Sequence, residues 1–361
     1  MTIADFLALR WSEPGAPLIE PPRFSPVIAD PSFLFPEETT GARDEGWALF
    51  AHSAWGVHRY ASLDGLAWRD RGIVLRNAMR PFARAIGGAE AARGAGDAET
   101  CRAGGNGAAP AEAAAPYHLY AEAYAPLALP LTALPGRRKW RSKIVLSRSG
   151  DLAKWSPPAT VARPELPWMG DPELGASVSN PCLTRPPSGS PASAGGWRLY
   201  YSASLAWIPD CGFCEPRYLA AADGPSPAGP FTPRPRPISD PADDSLPGVL
   251  GAGSIKVLSL EDGFIGLQNK IYRDPRGRSR SAIFLLRSED GLAWRPARDE
   301  PLIAPAGSGW ISSHVYACDC RFRKADGRWY LYFNARDGWR IKDGVERIGR
   351  IVGHAAAACR Q

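Results

Sequence analysis

The string Asp-Gly-Leu-Ala-Trp stands at positions 64–68 and again at 290–294, and a variant, Asp-Leu-Ala-Lys-Trp, stands at 151–155. Recurrence of one corner means copies of one supersecondary unit, each too small to bury its apolar face alone and therefore stacked on its neighbours. The segments ahead of each corner agree. Residues 26–35, 47–53 and 57–62 precede the first corner, and 253–258, 263–269 and 282–288 precede the last. All are short apolar runs, many of them aromatic or β-branched, separated by polar turns, and they read as strands.

The same order returns between and beyond these corners. A second unit opens with 73–75 and 79–83, breaks at a Gly/Ala-rich stretch over 87–115, and resumes with 117–124 and 143–147. A third runs through 177–183, 197–204 and 217–222, and a fifth through 315–322, 329–334 and 347–354. No segment keeps a helical period. Radial repetition of short strands leaves few open sheet edges, so the expected fold is all-β, a five-bladed β-propeller. A two-sheet sandwich is the alternative, but it accounts for the strands and not for the repeated corner. The chain is expected to form a single domain over 1–361. Its start, marked by Pro14, Pro17, Pro21 and Pro22, reads as an irregular strap over 1–23. Residues 87–115 cannot supply a packed face and read as a flexible insertion in blade two. Trp68, Trp155 and Trp294 read as corner packing between blades.

Charge excludes some partners. The 43 Lys and Arg against 37 Asp and Glu leave a net +6, but the basic residues are scattered, so no nucleic-acid partner is expected. No window approaches the roughly 20 apolar residues of a membrane helix, and the first ten residues hold too short an apolar run for a secretory signal. With seven cysteines, an odd number, reduced thiols in a cytoplasmic protein are the default expectation. Cys211 and Cys214, with Cys318 and Cys320, could form a zinc site only if their segments met, and the spacing is not that of a zinc knuckle. No metal and no cofactor are expected. The string at 251–256 looks like a phosphate loop but lacks the spacing and the helix that would bind the anion.

Ala29-Asp30-Pro31-Ser32, followed by the aromatic strand at 47–53, resembles the first blade of the five-bladed propeller glycosidases. These are the family-43 β-xylosidases and α-L-arabinofuranosidases and the related fructan-acting enzymes. The resemblance implies that Asp30 is the general base that activates water. Two departures stand beside it. Where that group opens a later blade with Glu-Gly-Pro, whose glutamate is the general acid, this chain has Ser179-Asn180-Pro181, and an amide cannot deliver a proton. Where its second blade carries an acid-tuning aspartate, this chain has Met79-Arg80-Pro81. The chain is also similar to propeller domains of the glucosamine inositolphosphorylceramide transferase type, which keeps transfer and binding roles open.

In a propeller the starts of the innermost strands and the ends of the next strands converge at the axis, where ligands bind. That geometry nominates Asp30 and His52, Arg80 and Glu122, Asn180 and Ser202, and Ser254 and Asn269. The last blade adds Asp319, Arg321 and Asn334, and His314 is a further candidate for orienting a carboxylate or a sugar hydroxyl. Glycoside hydrolysis needs a base and an acid across the scissile bond. With Asp30 as base, Glu122 at the end of an apolar strand is the first candidate acid, because burial would keep its proton on. Asp319 is the reserve, and pairing of either acid with Arg80 or Arg321 would be the structural reading. Asp210 and Glu215 flank the Cys211 to Cys214 loop, as loop carboxylates or as substrate-facing groups. The expected ligand is a carbohydrate and the expected function glycoside hydrolysis. The alternatives are a non-catalytic carbohydrate-binding propeller in glycan or glycolipid synthesis, and a glycosyl transferase or phosphorylase.

Overall fold

The computed structural model describes residues 1–44, 46–87, 115–131, 139–186, 196–340 and 343–355. Apart from its two end residues, the stretch expected as a flexible insertion lies outside these. The described chain is all-β but for short helical turns, and its strands lie in four hydrogen-bonded sheets. The first sheet contains Ala29–Leu34, Trp47–Ser53, Gly56–Ser62 and Arg69–Leu75, antiparallel and in chain order. The second is built on Ala78–Ala85, Tyr117–Tyr124 and Trp140–Ser149, and the third on Val178–Thr184, Trp197–Ile208 and Phe213–Gly224. The last sheet has eight strands. One run is Val249–Leu260, Gly263–Arg273 and Ser279–Ser288; the other is His314–Arg323, Arg328–Arg336 and Glu346–His354. The two runs meet only through the pair Ser281 and His314.

The opening strands pack against one another in succession. Ala29–Leu34 contacts Ala78–Ala85, which contacts Val178–Thr184; that strand contacts Val249–Leu260, then His314–Arg323, which returns to Ala29–Leu34. Covered on both faces, these strands are buried almost throughout, hence their small and apolar residues.

The repeated corner has a physical reason. Asp64 Oδ1 accepts from the backbone nitrogens of Leu66 and Ala67 at 2.8 and 2.9 Å, and Asp290 Oδ1 does the same for Leu292 and Ala293. Asp151 caps Ala153 and Lys154 in the same way. Each aspartate also takes a serine hydroxyl two residues before it, closing the turn with side-chain acceptors. The corners then dock on the neighbouring unit. Tyr332 donates its hydroxyl to Gly65 O at 2.7 Å, Tyr200 donates to Gly291 O at 2.9 Å, and Tyr120 donates to Pro227 O. Trp68, Trp155 and Trp294 pack edge-on against Tyr332, Phe50 and Tyr200. They are corner packing, as read from the sequence.

Gly65 and Gly291 have φ of 69° and 71°, and a Cβ on Gly65 would stand 2.8 Å from the Tyr332 hydroxyl. Leu152, at the same place in its corner, has φ 61°. It belongs to the same apolar cluster as Phe50, the ring that faces this corner and carries no hydroxyl. The glycine is therefore required by the tyrosine oxygen as much as by the turn.

The start of the chain is more regular than the expected strap. Thr2 and Asp5 form a capping box on the helix Ile3–Leu7, which buries Phe6 edge-on against Trp329 at 4.9 Å. Arg10–Trp11 then pairs with Glu346–His354, so the N-terminus covers an edge of the last sheet. The prolines misled because they sit after this strand, over 14–22, where only Ile19 makes a bridge.

Candidate functional site

Every opening strand slips its register, between Ala29 and Ser32, Met79 and Phe82, Ser179 and Cys182, Gly251 and Ser254, and Val315 and Cys318, and Val249–Leu260 slips a second time between Val249 and Gly251. In the first four the residue at the bulge is left-handed: Asp30 at φ 53°, Arg80 at 55°, Asn180 at 49° and Gly253 at 60°. Asp, Asn and Gly visit this region, whereas Arg80 costs about 1–2 kcal/mol there. Proline follows in three of the four, and its missing N–H suits a place where the ladder is already broken. The bulge turns Asp30, Arg80 and Asn180 into a cavity of about 640 Å³. Backbone strain of this kind gathers at functional sites.

His52, Ser254, Asn269 and Asn334 line the same cavity. Asn334 Oδ1 accepts from the Asp30 backbone nitrogen at 3.0 Å, and Asn269 donates to Val315 O. The Asp30 carboxylate lies 3.3 Å from His52 Nδ1. That nitrogen accepts from the Arg80 backbone N–H at 3.3 Å, so the imidazole proton belongs on Nε2. Burial first, and then Arg80, depress His52 to about 3, leaving it neutral and fit to accept. Burial raises Asp30 above the usual aspartate range, against the pull of Arg80 and then Lys256.

Both acids nominated from the sequence lie outside this cavity. Glu122 is fully buried, and its oxygens accept from Arg80 Nη1 at 2.7 Å and Trp140 Nε1 at 3.1 Å. It is the counter-ion of Arg80 and has no free oxygen toward a ligand. Asp319 Oδ2 accepts from Ser32 Oγ at 2.9 Å and from the Phe33 backbone at 3.1 Å, which ties the first sheet to the last. Arg321 is bound to Phe33 O and Glu38. With Lys256, Asp319 and Arg321 line a separate cleft of about 470 Å³. Ser202 is fully buried and donates to Gly253 O at 2.6 Å. His314 sits behind the cavity wall, stacked on Tyr316 and 3.5 Å from Cys211 Sγ. Cys211 meets Ser279 and His314; among the described residues no group of three or more His, Cys, Asp or Glu could hold a metal ion.

Three other acids line the cavity, the exposed Glu173 and two that are buried. Glu215, which the sequence left between a loop carboxylate and a substrate-facing one, lies near the start of Phe213–Gly224 and is buried against the cavity. Burial pushes it up to about 7, with Arg80 and Arg336 opposing and Asp30 assisting. Glu346 accepts from Asn334 Nδ2, and burial pushes it up to about 8 against Arg336. Neither Glu346 nor Arg336 was found by sequence reading, which ended one strand at 334 and began the next at 347. The two residues are partners in the last rung of that hairpin. The available signal was charge: Arg336 and Glu346 face each other where the apolar pattern fades. The cavity therefore joins a carboxylate beside a fixed guanidinium to carboxyl groups that hold their protons near neutrality.

No family model matches the chain, and no curated protein matches it. Solved structures do. A glycoside hydrolase is 13% identical with a TM-score of 0.60, over 95% of this chain and 92% of that one. A thermostable family-43 glycoside hydrolase is 11% identical with a TM-score of 0.54, over 91% of each chain. An N-acetylgalactosamine deacetylase from F. plautii, solved with blood group B trisaccharide, is 13% identical with a TM-score of 0.54, over 96% of this chain and 95% of that one. At such identities the likeness speaks for the fold alone, all-β and propeller-like, on which more than one chemistry is carried.

Proposed function

We propose that this chain is a glycoside hydrolase built as a five-bladed propeller, with the axial cavity as its active site, Asp30 as general base and Glu215 as general acid. Five opening strands, each broken by a bulge and following one another around the cavity, support the five-bladed reading. One observation carries the chemistry: the cavity holds two buried carboxyl groups in unlike settings, Asp30 beside His52 and Glu215 without a hydrogen-bond partner among the described residues. Burial raises Asp30, and the charge of Arg80 opposes that rise in favour of the ionised form. The Glu215 carboxyl group has no hydrogen-bond partner among the described residues, and it keeps its proton up to about 7.

Asp30 takes a proton from water as the oxygen attacks the anomeric carbon, and Glu215 gives its proton to the departing glycosidic oxygen as that bond breaks. Solvent then reprotonates Glu215 and deprotonates Asp30. Asn334 positions Asp30 through its backbone N–H, and Glu122 fixes the guanidinium whose charge favours the ionised form of Asp30.

The test is a panel of nitrophenyl glycosides of arabinose, xylose, galactose and fructose. Asp30→Asn should abolish release of nitrophenol. Glu215→Gln should abolish cleavage of oligosaccharides, whose departing sugar hydroxyl needs the proton, and spare glycosyl fluorides, which need none. Asn180, standing where the related glycosidases have their acid, favours the second reading, a carbohydrate-binding propeller. Silence across the panel, with glycan binding unchanged by Asp30→Asn, would establish that reading instead.

A further inference from the structure

The Arg336 side chain is 2% exposed. Its Nε donates to Gly338 O at 2.8 Å and its Nη2 to the carbonyls of Arg340 and Gly344, so three backbone oxygens fix the guanidinium plane. No carboxylate among the described residues comes within ion-pair distance of it. Glu346, its partner across the hairpin, gives its oxygen to Asn334 instead. Nη1 has no partner among the described residues, and Arg336 lines the axial cavity. On the same wall the Tyr316 hydroxyl is buried and makes no hydrogen bond among the described residues. Buried cations are normally paired, and buried hydroxyls normally bonded. Here a charged donor and a neutral one are both unmatched among the described residues, and both residues line the cavity that a ligand would occupy.

We propose that Arg336 and Tyr316 form a carboxylate subsite, so that the glycan this cavity takes carries a uronic acid. A carboxylate offers two oxygens in one plane, one for the Nη1 donor and one for the phenol hydroxyl. The orientation of Arg336 by backbone carbonyls means that little ordering cost remains when the anion arrives. The inference rests on the reading of the cavity as a carbohydrate site and adds the class of sugar.

The experiment is binding by calorimetry to uronic-acid oligosaccharides, from polygalacturonan and from glucuronoxylan, each beside its carboxyl-reduced counterpart. Wild type should bind one acidic series at least about tenfold more tightly than the reduced form. Arg336→Gln should erase that preference, a weakening on the order of 10–100-fold for a charged hydrogen bond. Tyr316→Phe keeps the ring that stacks on His314 and should cost roughly fivefold, for the acidic ligands alone. Thermal unfolding of both variants shows whether the loop carbonyls tolerate the change, and Tyr316→Phe decides the matter if Arg336→Gln unfolds. Equal binding of reduced and acidic forms, a preference that survives in a folded Arg336→Gln, or binding only of sulfated glycans would overturn the proposal. Turnover separates the two readings. Hydrolysis of neutral glycosides that Asp30→Asn abolishes, without acidic preference, leaves the hydrolase and removes the subsite. Arg336-dependent binding without any turnover does the reverse.

Discussion

Glu215 sets the alkaline side of activity if it is the acid. Its ordinary value is 4.5, and burial takes it to about 7, which corresponds to about 3 kcal/mol favouring the protonated form. At pH 6 such a group is roughly 90% protonated and at pH 8 roughly 10%. The step needs Glu215 protonated and Asp30 ionised. The rate should therefore fall as pH rises through about 7 and fall again as pH drops through the raised value of Asp30. The assay is kcat/KM between pH 4.5 and 9.5 on whichever nitrophenyl glycoside is cleaved. Glu215→Gln should lose on the order of 10²–10⁴-fold on poor leaving groups, show no alkaline limb, and remain active on the fluoride. Glu346, at about 8, is the rival source of that limb, so Glu346→Gln is run beside it. A limb near pH 7 that persists in Glu215→Gln, or a loss below tenfold, would refute the assignment of the acid.

Stability should carry the same signature. Because Glu215 and Glu346 bind protons more tightly folded than unfolded, their contribution is complete below about pH 4.5 and is lost as pH rises through about 7 and 8. The two glutamine variants should match wild type in urea unfolding at pH 5 and exceed it by several kcal/mol at pH 9; parallel pH profiles would contradict this. Gly291→Ala combines a strained φ with a Cβ driven into the Tyr200 hydroxyl. It should lose about 2–4 kcal/mol in chemical unfolding, and the double variant with Tyr200→Phe should recover part of it. Arg80→Leu leaves Glu122 buried beside Trp140 without its cation and should cost about 3–5 kcal/mol, readable as a lowered thermal midpoint that Glu122→Gln restores.

What could be read from the sequence was what lies within one strand. Asp30, Arg80 and Asn180 could be nominated because each stands at the start of an opening strand; the bulges that turn them inward were not read, although the proline after each marks a place where the hydrogen-bond ladder is broken. The corner strings announced the packing of Trp68, Trp155 and Trp294, because their aspartate and serine contacts are local. What escaped came from pairing across strands. Glu215 faces the cavity only because its hairpin runs long, reaching Ile208 opposite Phe213. Arg336 and Glu346 belong to the last rung of a hairpin whose end the apolar pattern does not mark. Asp319 looked axial by its place in the repeat, yet it lies beyond the bulge at Val315 to Cys318. There it meets the backbone of another strand, Phe33, nearly three hundred residues away.

Glu122 and Glu215 make the point about sites most sharply, since both are buried glutamates within reach of Arg80. What separates them is contact. At Glu122 the guanidinium is in contact at 2.7 Å and an indole N–H takes the other oxygen, so both oxygens are committed to holding Arg80 and Trp140 in place. At Glu215 the same cation acts only through space, against a desolvation that outweighs it, and the carboxyl group keeps both its proton and an open side toward the cavity. One arginine therefore divides the labour. It is locked by one glutamate so that its charge can oppose the rise of Asp30 on burial, and it makes no ion pair with the other. Exchanging the two distances would leave a site with a base and no acid, and for that reason the Arg80 to Glu122 contact matters to the chemistry although neither Glu122 oxygen is open to a substrate.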